Sequence, residues 1–579
     1  MNSNKVTPHS VMQLSRESNS AHSESVIHEV VSDVNAWRHS TAGYEALCKD
    51  FALSVPTYFN MAEATVGRHA RSQHSHRVAL ICDEDGSSQP LSLSYGELYS
   101  QSLRMAAFLR RQGVQAGDVV VCYAPQGRAA ALTHLGCYLL GAVVAPLSLL
   151  YGKDTLKHAI ADSRARFLVT TRAAWDTLPG IRSDLPTLTT VMVSAGARAD
   201  EVALEDFMAQ PELAQVYRTR ADDPALLLYT SGSTGMPKGI LHAHRLVLGY
   251  LASVSLFYQL QMREPGQVLW TPSDWSWIAG IVNVQMTGWY FGHTVVAGQA
   301  KVTAEWIFEF SQRHGVTHTF LTPTALKRMA SIVEPRQRWP QLRLRAIGTG
   351  GEPCPGAVLD WSRDVLGVPI NEFYGLTEVN HLIGNCQALY PVRAGSMGKA
   401  YPGHRICVLD DEGNPVPAGV SGQVAAHRSD PTLFLEYWNQ PQRTQAMFHG
   451  DWVLTGDYAK IDESGYFWYE GRQDDLIKSA GYRIGPAEVE EALVAHSAVE
   501  EAAVIGVPDP DRGQVVKAYI RLAPGHAPSE HLAEQLRVHV KTNLAVYKYP
   551  RLIEFVQEFP LTSTGKISRK HLRSQAQGA

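Results

Sequence analysis

The 579-residue chain carries 52 lysines and arginines against 56 aspartates and glutamates, with 45% hydrophobic and 19% charged residues. A chain this long exceeds the roughly 250 to 300 residues over which a single core keeps growing, so at least two domains are expected, one of them large. The near-balanced charge excludes a general attraction to nucleic acid or to an anionic membrane, and any anionic ligand has to be held by local cations.

Residues 1 to 45 are rich in Ser, Asn and His with little periodicity and read as a disordered tail, with order beginning near Phe51. The tail has no apolar stretch of the kind a secretory signal needs, and Lys5, Arg16 and Arg38 alternate with Glu17, Glu24, Glu29 and Asp33. From there strand-like runs at Val78–Cys82, Val119–Tyr123 and Phe167–Thr170 alternate with helical segments such as Tyr95–Gln112, the pattern of stacked βα units. The most apolar long stretch, Ala129–Tyr151, contains His134 and Pro146 and reads as helix, turn and buried strand instead of a membrane span. The alternation continues through Thr317–Leu321 and Arg345–Gly348 and gives way after Pro402 to shorter strands punctuated by Gly and Pro, expected to be antiparallel. Beyond Gly471–Ile477 a small α+β unit is expected: a helix at Pro486–Ala495, a strand at Ala502–Val507, a helix at Glu530–Asn543 and a strand at Leu552–Val556. The seven cysteines, at 48, 82, 122, 137, 354, 386 and 407, include no C-x-x-C pair, which argues against a disulfide framework or zinc site and for a reducing, cytoplasmic setting.

The richest motif is Thr230-Ser-Gly-Ser-Thr-Gly-Met-Pro-Lys-Gly239, directly after the apolar run Ala225–Tyr229. Gly232 and Gly235 free the backbone to turn its N–H groups inward, Thr230, Ser231, Ser233 and Thr234 supply hydroxyls, and Lys238 adds a compact positive charge. This is how a phosphate-holding loop is built, although it is not a Walker A sequence, because Gly239 follows the lysine. A second polar glycine loop ends in Lys566 on the small unit. Single motifs further on, Gly350-Gly-Glu-Pro353, Asn371-Glu-Phe-Tyr-Gly-Leu-Thr-Glu378, Thr455-Gly-Asp457 and Gly471-Arg472, are each compatible with plain turns or strand ends.

In this order, with Ala480-Gly-Tyr-Arg-Ile-Gly-Pro486 and Lys566, they resemble the adenylate-forming superfamily of acyl-CoA synthetases, luciferases and peptide-synthetase adenylation domains over roughly residues 50 to 572. The likeness is greatest to the medium-chain and acetyl-CoA synthetase-like branch, through Trp270–Trp277, Gly395–Gly398, Asp451–Asp457, Val515–Tyr519 and Tyr547–Arg551. The resemblance implies an α/β fold with a large N-terminal domain, 46–473, of stacked mixed β-sheets flanked by helices plus a β-barrel-like portion. A small mobile α+β lid, 474–572, and a tail, 573–579, complete it. It also implies ATP, Mg²⁺ and coenzyme A as cofactor and co-substrates, a small carboxylic acid as substrate, and leaves the oligomeric state open.

By the same resemblance, Lys566, Thr377 and Glu378 serve catalysis, and Glu378 is the protein-side ligand of the metal. The nucleotide is expected at Thr230 to Gly235, Lys238, Gly351, Glu352, Pro353, Glu372, Phe373, Tyr374, Gly375, Leu376 and Thr377, with Asp457 at the ribose, Arg472 at the ribose or phosphates and Lys566 at the α-phosphate. Asp474 matches the hinge about which the lid rotates between the two half-reactions. Ala480, Gly481 and Tyr482 are expected along the pantetheine tunnel, and Arg483, Arg512, Lys541 and Tyr549 at the coenzyme A nucleotide. For the acyl pocket, Trp275, Trp277, Ile278 and Tyr374 are candidate walls, and Gly375 replaces the tryptophan that shortens the cavity in acetate-specific relatives, so an acid larger than acetate is expected. Leu376 stands where the medium-chain relatives carry glutamine. The chain is read as an ATP-dependent acyl-CoA synthetase for a short- to medium-chain, branched or aryl acid; the alternative is an acyl-adenylating enzyme that loads a carrier-protein pantetheine. Asp274 lies in Asp-Trp-Ser-Trp, which does not match the pattern that holds an amino-acid substrate's amine.

Overall fold

A computed structural model describes residues 32–40, 42–83, 89–230, 236–298, 302–480, 482–560 and 567–577, with Arg483 described in its backbone alone. Among them the chain forms three sheets, of 14, 8 and 5 strands. The 8-stranded sheet runs parallel through Val202–Ala203, Thr190–Ser194, Phe167–Thr171, Val119–Tyr123 and Val143–Pro146 to β1 (Pro224–Thr230). It closes with the antiparallel β2 (Lys238–Ala243) and a two-residue strand, Glu436–Tyr437.

The centre of the 14-stranded sheet is parallel, ending at Ala346–Gly350 and β3 (Ile370–Leu376). Beyond β3 the strands turn antiparallel, and they do so from Asn380 on, ahead of the change expected after Pro402. β4 (Asn380–Gly384) forms a hairpin with β3, and β5 (Trp452–Ile461) pairs with β6 (Phe467–Arg472) so that Asp457 stands directly opposite Arg472. The main core lies between the two large sheets, where helices fill the gap. One of them, α1 (Leu246–Phe257), is buried on every side. Another, Tyr95–Arg111, starts on a capping box in which Ser94 and Glu97 satisfy each other's backbone N–H, and it buries Leu98, Met105, Phe108 and Leu109. The Ala129–Tyr151 stretch is a helix, Arg128–Leu140, a left-handed Gly141 and the strand Val143–Pro146. No helix among the described residues is long and apolar enough to cross a membrane.

The small C-terminal domain contains α2 (Pro486–Val494), the long antiparallel pair β7 (Val499–Asp509) and β8 (Gly513–Leu522), and α3 (Glu530–Asn543), around Ile477, Val489, Val504, Val516 and Leu536. Two expectations shift at the ends of the chain. Structure begins ahead of Phe51, with a 3-10 turn at Val34–His39 and a helix at Tyr44–Lys49, because Val34 and Tyr44 are buried beside Leu256, Tyr390 and Tyr401. Two isolated anchors leave no periodicity to read. At the other end α4 (Arg569–Gln577) runs past Leu572, which it buries, into the stretch read as tail.

Candidate functional site

β1 and β2 pair antiparallel, Thr230 with Lys238 and Tyr229 with Gly239, on either side of the Gly/Ser/Thr motif. Ser231, Gly232, Ser233, Thr234 and Gly235 themselves lie outside the described residues. The hairpin's exit is firmly held. The buried Tyr229 donates from its hydroxyl to Asp162 Oδ2 at 2.8 Å, and Tyr151 donates to the Tyr229 carbonyl at 2.7 Å. Lys238 Nζ donates to Glu378 Oε1 at 2.7 Å and to Tyr437 Oη at 3.0 Å, and Tyr437 Oη donates to the same Glu378 oxygen at 2.6 Å. The ammonium also sits 4.3 Å from the centre of the Tyr437 ring. Burial alone would raise the Glu378 carboxyl, but the Lys238 charge and the hydrogen bonds from Lys238 and Tyr437 hold it below the usual carboxylate range. Burial likewise lowers Lys238, against the pull of Glu378.

Glu378 lies in the turn of the β3–β4 hairpin, residues 377–379, and β3 carries the nucleotide candidates. Glu352 accepts from Thr324 Oγ1 at 3.0 Å, beside Gly351, whose φ is +84°, and Pro353. Glu372 accepts from the Cys354 N–H at 3.3 Å, and desolvation pushes its carboxyl up to about 8, with Glu491 adding to the rise. The Phe373 ring packs inward, 3.9 Å from His381 and 5.6 Å from Phe257, so of this residue the main chain is what the strand presents. Leu376 packs against the apolar cluster of Val379, Leu382 and Phe434, and Thr377 is half-buried beside it. Tyr374 donates to Asp457 Oδ2 at 2.7 Å. The other Asp457 oxygen has Tyr469 Oη at 3.5 Å and Arg472 Nε at 3.8 Å. Burial raises the Asp457 carboxyl, with Arg472 opposing and Glu378 adding to it. The two carboxylates thus lie within each other's electrostatic reach.

The acyl candidates divide. Trp275 is 2% exposed and packs inside the main core. Trp277 is half-buried, edge-on to Tyr151 at 6.2 Å, and Ile278 packs against the same core. Asp274 accepts from Ser148 Oγ at 3.0 Å and from the Ser276 N–H at 3.2 Å, and burial raises its carboxyl. Gly375, expected to open the acyl pocket, meets a constraint of the hairpin as well. A Cβ built there would lie 1.7 Å from the Asn380 carbonyl oxygen, so its absence serves the β3–β4 hairpin, which bulges between Tyr374 and Gly375.

In the small domain the exposed Asp474 accepts, through its carbonyl, from Arg573 Nη1 at 3.4 Å, and Arg573 also holds Asp475 at 2.6 Å. Arg569 on the same helix grips both oxygens of Glu490 at 2.8 and 2.7 Å. Ala480 has φ +50° and donates its N–H to the Arg512 carbonyl at 2.9 Å, which joins two of the coenzyme A candidates. Lys541 Nζ lies 4.1 Å over the Tyr549 ring, and Tyr482 stacks on Tyr547 at 4.1 Å and 15°. Gly481, Lys566 and the Arg483 side chain lie outside the described residues.

Four side chains that sequence reasoning passed over stand in this arrangement: Tyr437, Tyr469, Tyr547 and Arg573. Each acts through a partner 12 or more positions distant, and only Tyr547 sits in a quoted motif, Tyr547–Arg551, which gives it no role. For a metal, no group of three or more His, Cys, Asp or Glu side chains comes together among the described residues. A lone buried carboxylate beside a phosphate-type loop is nevertheless the donor set Mg²⁺ uses when substrate phosphates and waters complete its octahedron, so Glu378 fits that ion.

The family model described as AMP-binding enzyme matches residues 67–438, and the model of the AMP-binding enzyme C-terminal domain matches 488–566. The acetyl-coenzyme A synthetase of Bacillus subtilis (strain 168) is 33% identical over 526 residues, covering 89% of this chain and 90% of that one. The mitochondrial acyl-coenzyme A synthetase ACSM5 of Mus musculus is 35% identical over 540 residues, covering 90% and 92%. Among solved structures, the anthranilate CoA ligase AuaEII in complex with anthranoyl-AMP superposes with a TM-score of 0.80 at 30% identity, covering 90% of this chain and 98% of that one.

Proposed function

The chain belongs to the AMP-binding enzyme family, and from that premise we propose how its residues carry the work of an AMP-forming acyl-CoA synthetase. The enzyme joins a short- to medium-chain, branched or aryl carboxylic acid to coenzyme A at the expense of ATP, through an acyl-AMP intermediate. In the first half, a carboxylate oxygen bonds to the α-phosphorus and the bond to the bridging oxygen of pyrophosphate breaks, so pyrophosphate leaves with the electron pair. In the second, the thiol sulfur, its proton lost to solvent, bonds to the acyl carbon and the bond to the phosphate oxygen breaks, releasing AMP.

Two anions meet in the first half, so preorganised cations and donors carry most of the catalysis. Lys238 and the loop ahead of it take the β- and γ-phosphates. Lys566 stands between the carboxylate and the α-phosphate, with Thr377 beside them. Asp457 accepts from the ribose hydroxyls, steadied by Arg472, while Gly351 to Pro353 and Glu372 to Leu376 enclose the base, with the Tyr374 ring against it. Glu378 would hold Mg²⁺, which when bound neutralises phosphate charge. The second half needs the thiol where Lys566 stood, and the lid, 474–572, rotates about Asp474 relative to residues 46–473. That brings Ala480 to Tyr482 to the tunnel and Arg483, Arg512, Lys541 and Tyr549 to the coenzyme A nucleotide. The acid is met by Trp277 and Ile278. A cytoplasmic setting belongs to the same reading.

The observation that carries this assignment is the buried Lys238–Glu378 pair at the root of the Gly/Ser/Thr hairpin, within electrostatic reach of Asp457. The test is coenzyme A-dependent AMP release across acids from acetate to decanoate with benzoate and branched acids. A maximum above acetate is expected. AMP release from none of them, or release that ignores coenzyme A, would reject the reading.

A further inference from the structure

Lys238 and Glu378 neutralise each other in this structure, yet the proposed function gives them different partners: phosphate for the lysine, a cation for the carboxylate. Binding the nucleotide therefore has to part a buried ion pair, and a buried charge left without a partner is strongly unfavourable. The third member of the cluster bears on this. Tyr437 donates its hydroxyl proton to Glu378 Oε1 at 2.6 Å while its oxygen accepts from Lys238 Nζ at 3.0 Å, and its ring lies under the ammonium at 4.3 Å and near Arg443 at 5.0 Å.

The segment that carries Tyr437 is stitched to both neighbours. Leu435 and Trp438 donate their N–H groups to the carbonyls of Leu241 at 2.7 Å and Gly239 at 2.9 Å, on β2. Phe434 donates to the Glu378 carbonyl at 2.9 Å, and Thr432 Oγ1 to the Val379 carbonyl at 2.7 Å. Gly239 has to be glycine for this strap to lie so close, since a Cβ there would meet Trp438 Cβ at 2.8 Å. One strap therefore fixes the phosphate hairpin, the Glu378 turn and the tyrosine in a common frame.

We propose that Tyr437 is a positioning residue for the adenylation half-reaction: its hydroxyl keeps hold of Glu378 while Lys238 is released to the nucleotide's phosphates, so the carboxylate is never stranded. The ring eases the same transfer by offering the ammonium an apolar face along which to move. This inference rests on the assignment of Lys238 to phosphate and Glu378 to the metal.

Tyr437→Phe removes the hydroxyl and keeps the ring, and Tyr437→Leu removes both. Three quantities are read for each: ATP binding by calorimetry with and without Mg²⁺, the Mg²⁺ concentration giving half-maximal ATP–pyrophosphate exchange, and thioester formation from supplied acyl-AMP. Loss of a hydrogen bond to a charged group predicts a roughly 10- to 100-fold weaker ATP affinity with Mg²⁺ and a matching rise in the Mg²⁺ required for Tyr437→Phe. Thioester formation should stay within about twofold of the wild type. Tyr437→Leu should add a further loss of metal-free ATP affinity through Lys238. Wild-type affinity and Mg²⁺ dependence in Tyr437→Phe would overturn the proposal, as would equal loss in both half-reactions, which marks a general folding defect. If the wild-type enzyme gave no exchange with any acid, the proposed function would fall, while the calorimetric arm would still judge the tyrosine.

Discussion

Gly375→Ala separates two explanations of one glycine. If Gly375 opened an acyl pocket, a methyl group there would narrow the range of acids and leave the fold intact. The hairpin geometry predicts the reverse. A Cβ at 375 would lie 1.7 Å from the Asn380 carbonyl oxygen and 2.7 Å from its carbon, where real Cβ contacts stay beyond 3.0 Å, so β4 must retreat by at least about 1.3 Å. Asn380 cannot yield freely. It holds a left-handed φ of +60°, accepts from Tyr250 Oη on α1 at 2.7 Å and donates from Nδ2 to the Thr432 carbonyl at 2.6 Å, all in buried surroundings. Overpacking a filled interior costs about 1 to 3 kcal/mol, and straining a buried hydrogen bond adds about 1, for a loss of about 2 to 4 kcal/mol. At about 2.1 cal/mol/K per residue, a domain of about 430 residues unfolds with an entropy of about 0.9 kcal/mol/K, so the large domain's unfolding transition should fall by roughly 2 to 4 °C. Differential scanning calorimetry resolves that transition from the small domain's, and the acid profile is measured on the same preparation below the lowered midpoint. The acid profile should keep its shape while total turnover falls, because Glu378 lies on the same turn. A Gly375→Ala protein as stable as the wild type but with a narrowed acid range would refute the hairpin argument.

Asp457→Ala removes the acceptor assigned to the ribose, and the ATP KM should rise by roughly 10- to 100-fold; the variant should also lose discrimination against 2′-deoxy-ATP, and retained discrimination would place the ribose elsewhere. Lys566→Ala should lose acyl-AMP formation by roughly 10²- to 10³-fold, as removal of one preorganised charge donor does, yet still convert supplied acyl-AMP to thioester. Equal loss in both half-reactions would contradict the two-position lid. Glu378→Gln breaks a buried pair and should cost about 3 kcal/mol of stability at neutral pH. The folded Glu378 carboxyl lies below its unfolded value of about 4.3, so its contribution is fully present above that pH and is lost as pH falls through the folded value. The stability gap between wild type and Glu378→Gln should therefore be flat from pH 5 to 8 and shrink below about pH 4, and a gap that persisted in acid would show that the pair's charge is not its source.

What could be read from the chain alone was local. Strand, glycines, hydroxyls and lysine occur together within Pro224–Gly239, so the strand and a loop chemistry suited to an anion could be read at short range, whereas the return strand Lys238–Ala243 that pairs with it could not. The stacked sheets follow from alternating periodicities, and the antiparallel strands after Pro402 from the change in strand length and punctuation. Val34 and Tyr44 were invisible as anchors because burial of single residues against distant aromatics leaves no pattern in the neighbouring sequence.

The roles were hardest to read where a residue's partner lies on another strand. Lys238 reads in sequence as a free cation waiting for phosphate, whereas the fold presents it already paired with a carboxylate 140 positions away and bridged by a tyrosine 199 positions away. Gly375 reads as missing bulk in a pocket, whereas its neighbour in space is the backbone of Asn380, set there by a bulge that no composition rule announces. Both cases have the same physical origin. A side chain's chemistry is written at its own position, but its charge balance and the room around it are set by strand register, and register is fixed by the packing of whole sheets. The site is accordingly not a row of waiting ligands. Lys238 is already held by Glu378, and on the proposed function the affinity for the nucleotide would be the difference between the bonds the phosphates and metal offer and those that Lys238, Glu378 and Tyr437 already make among themselves.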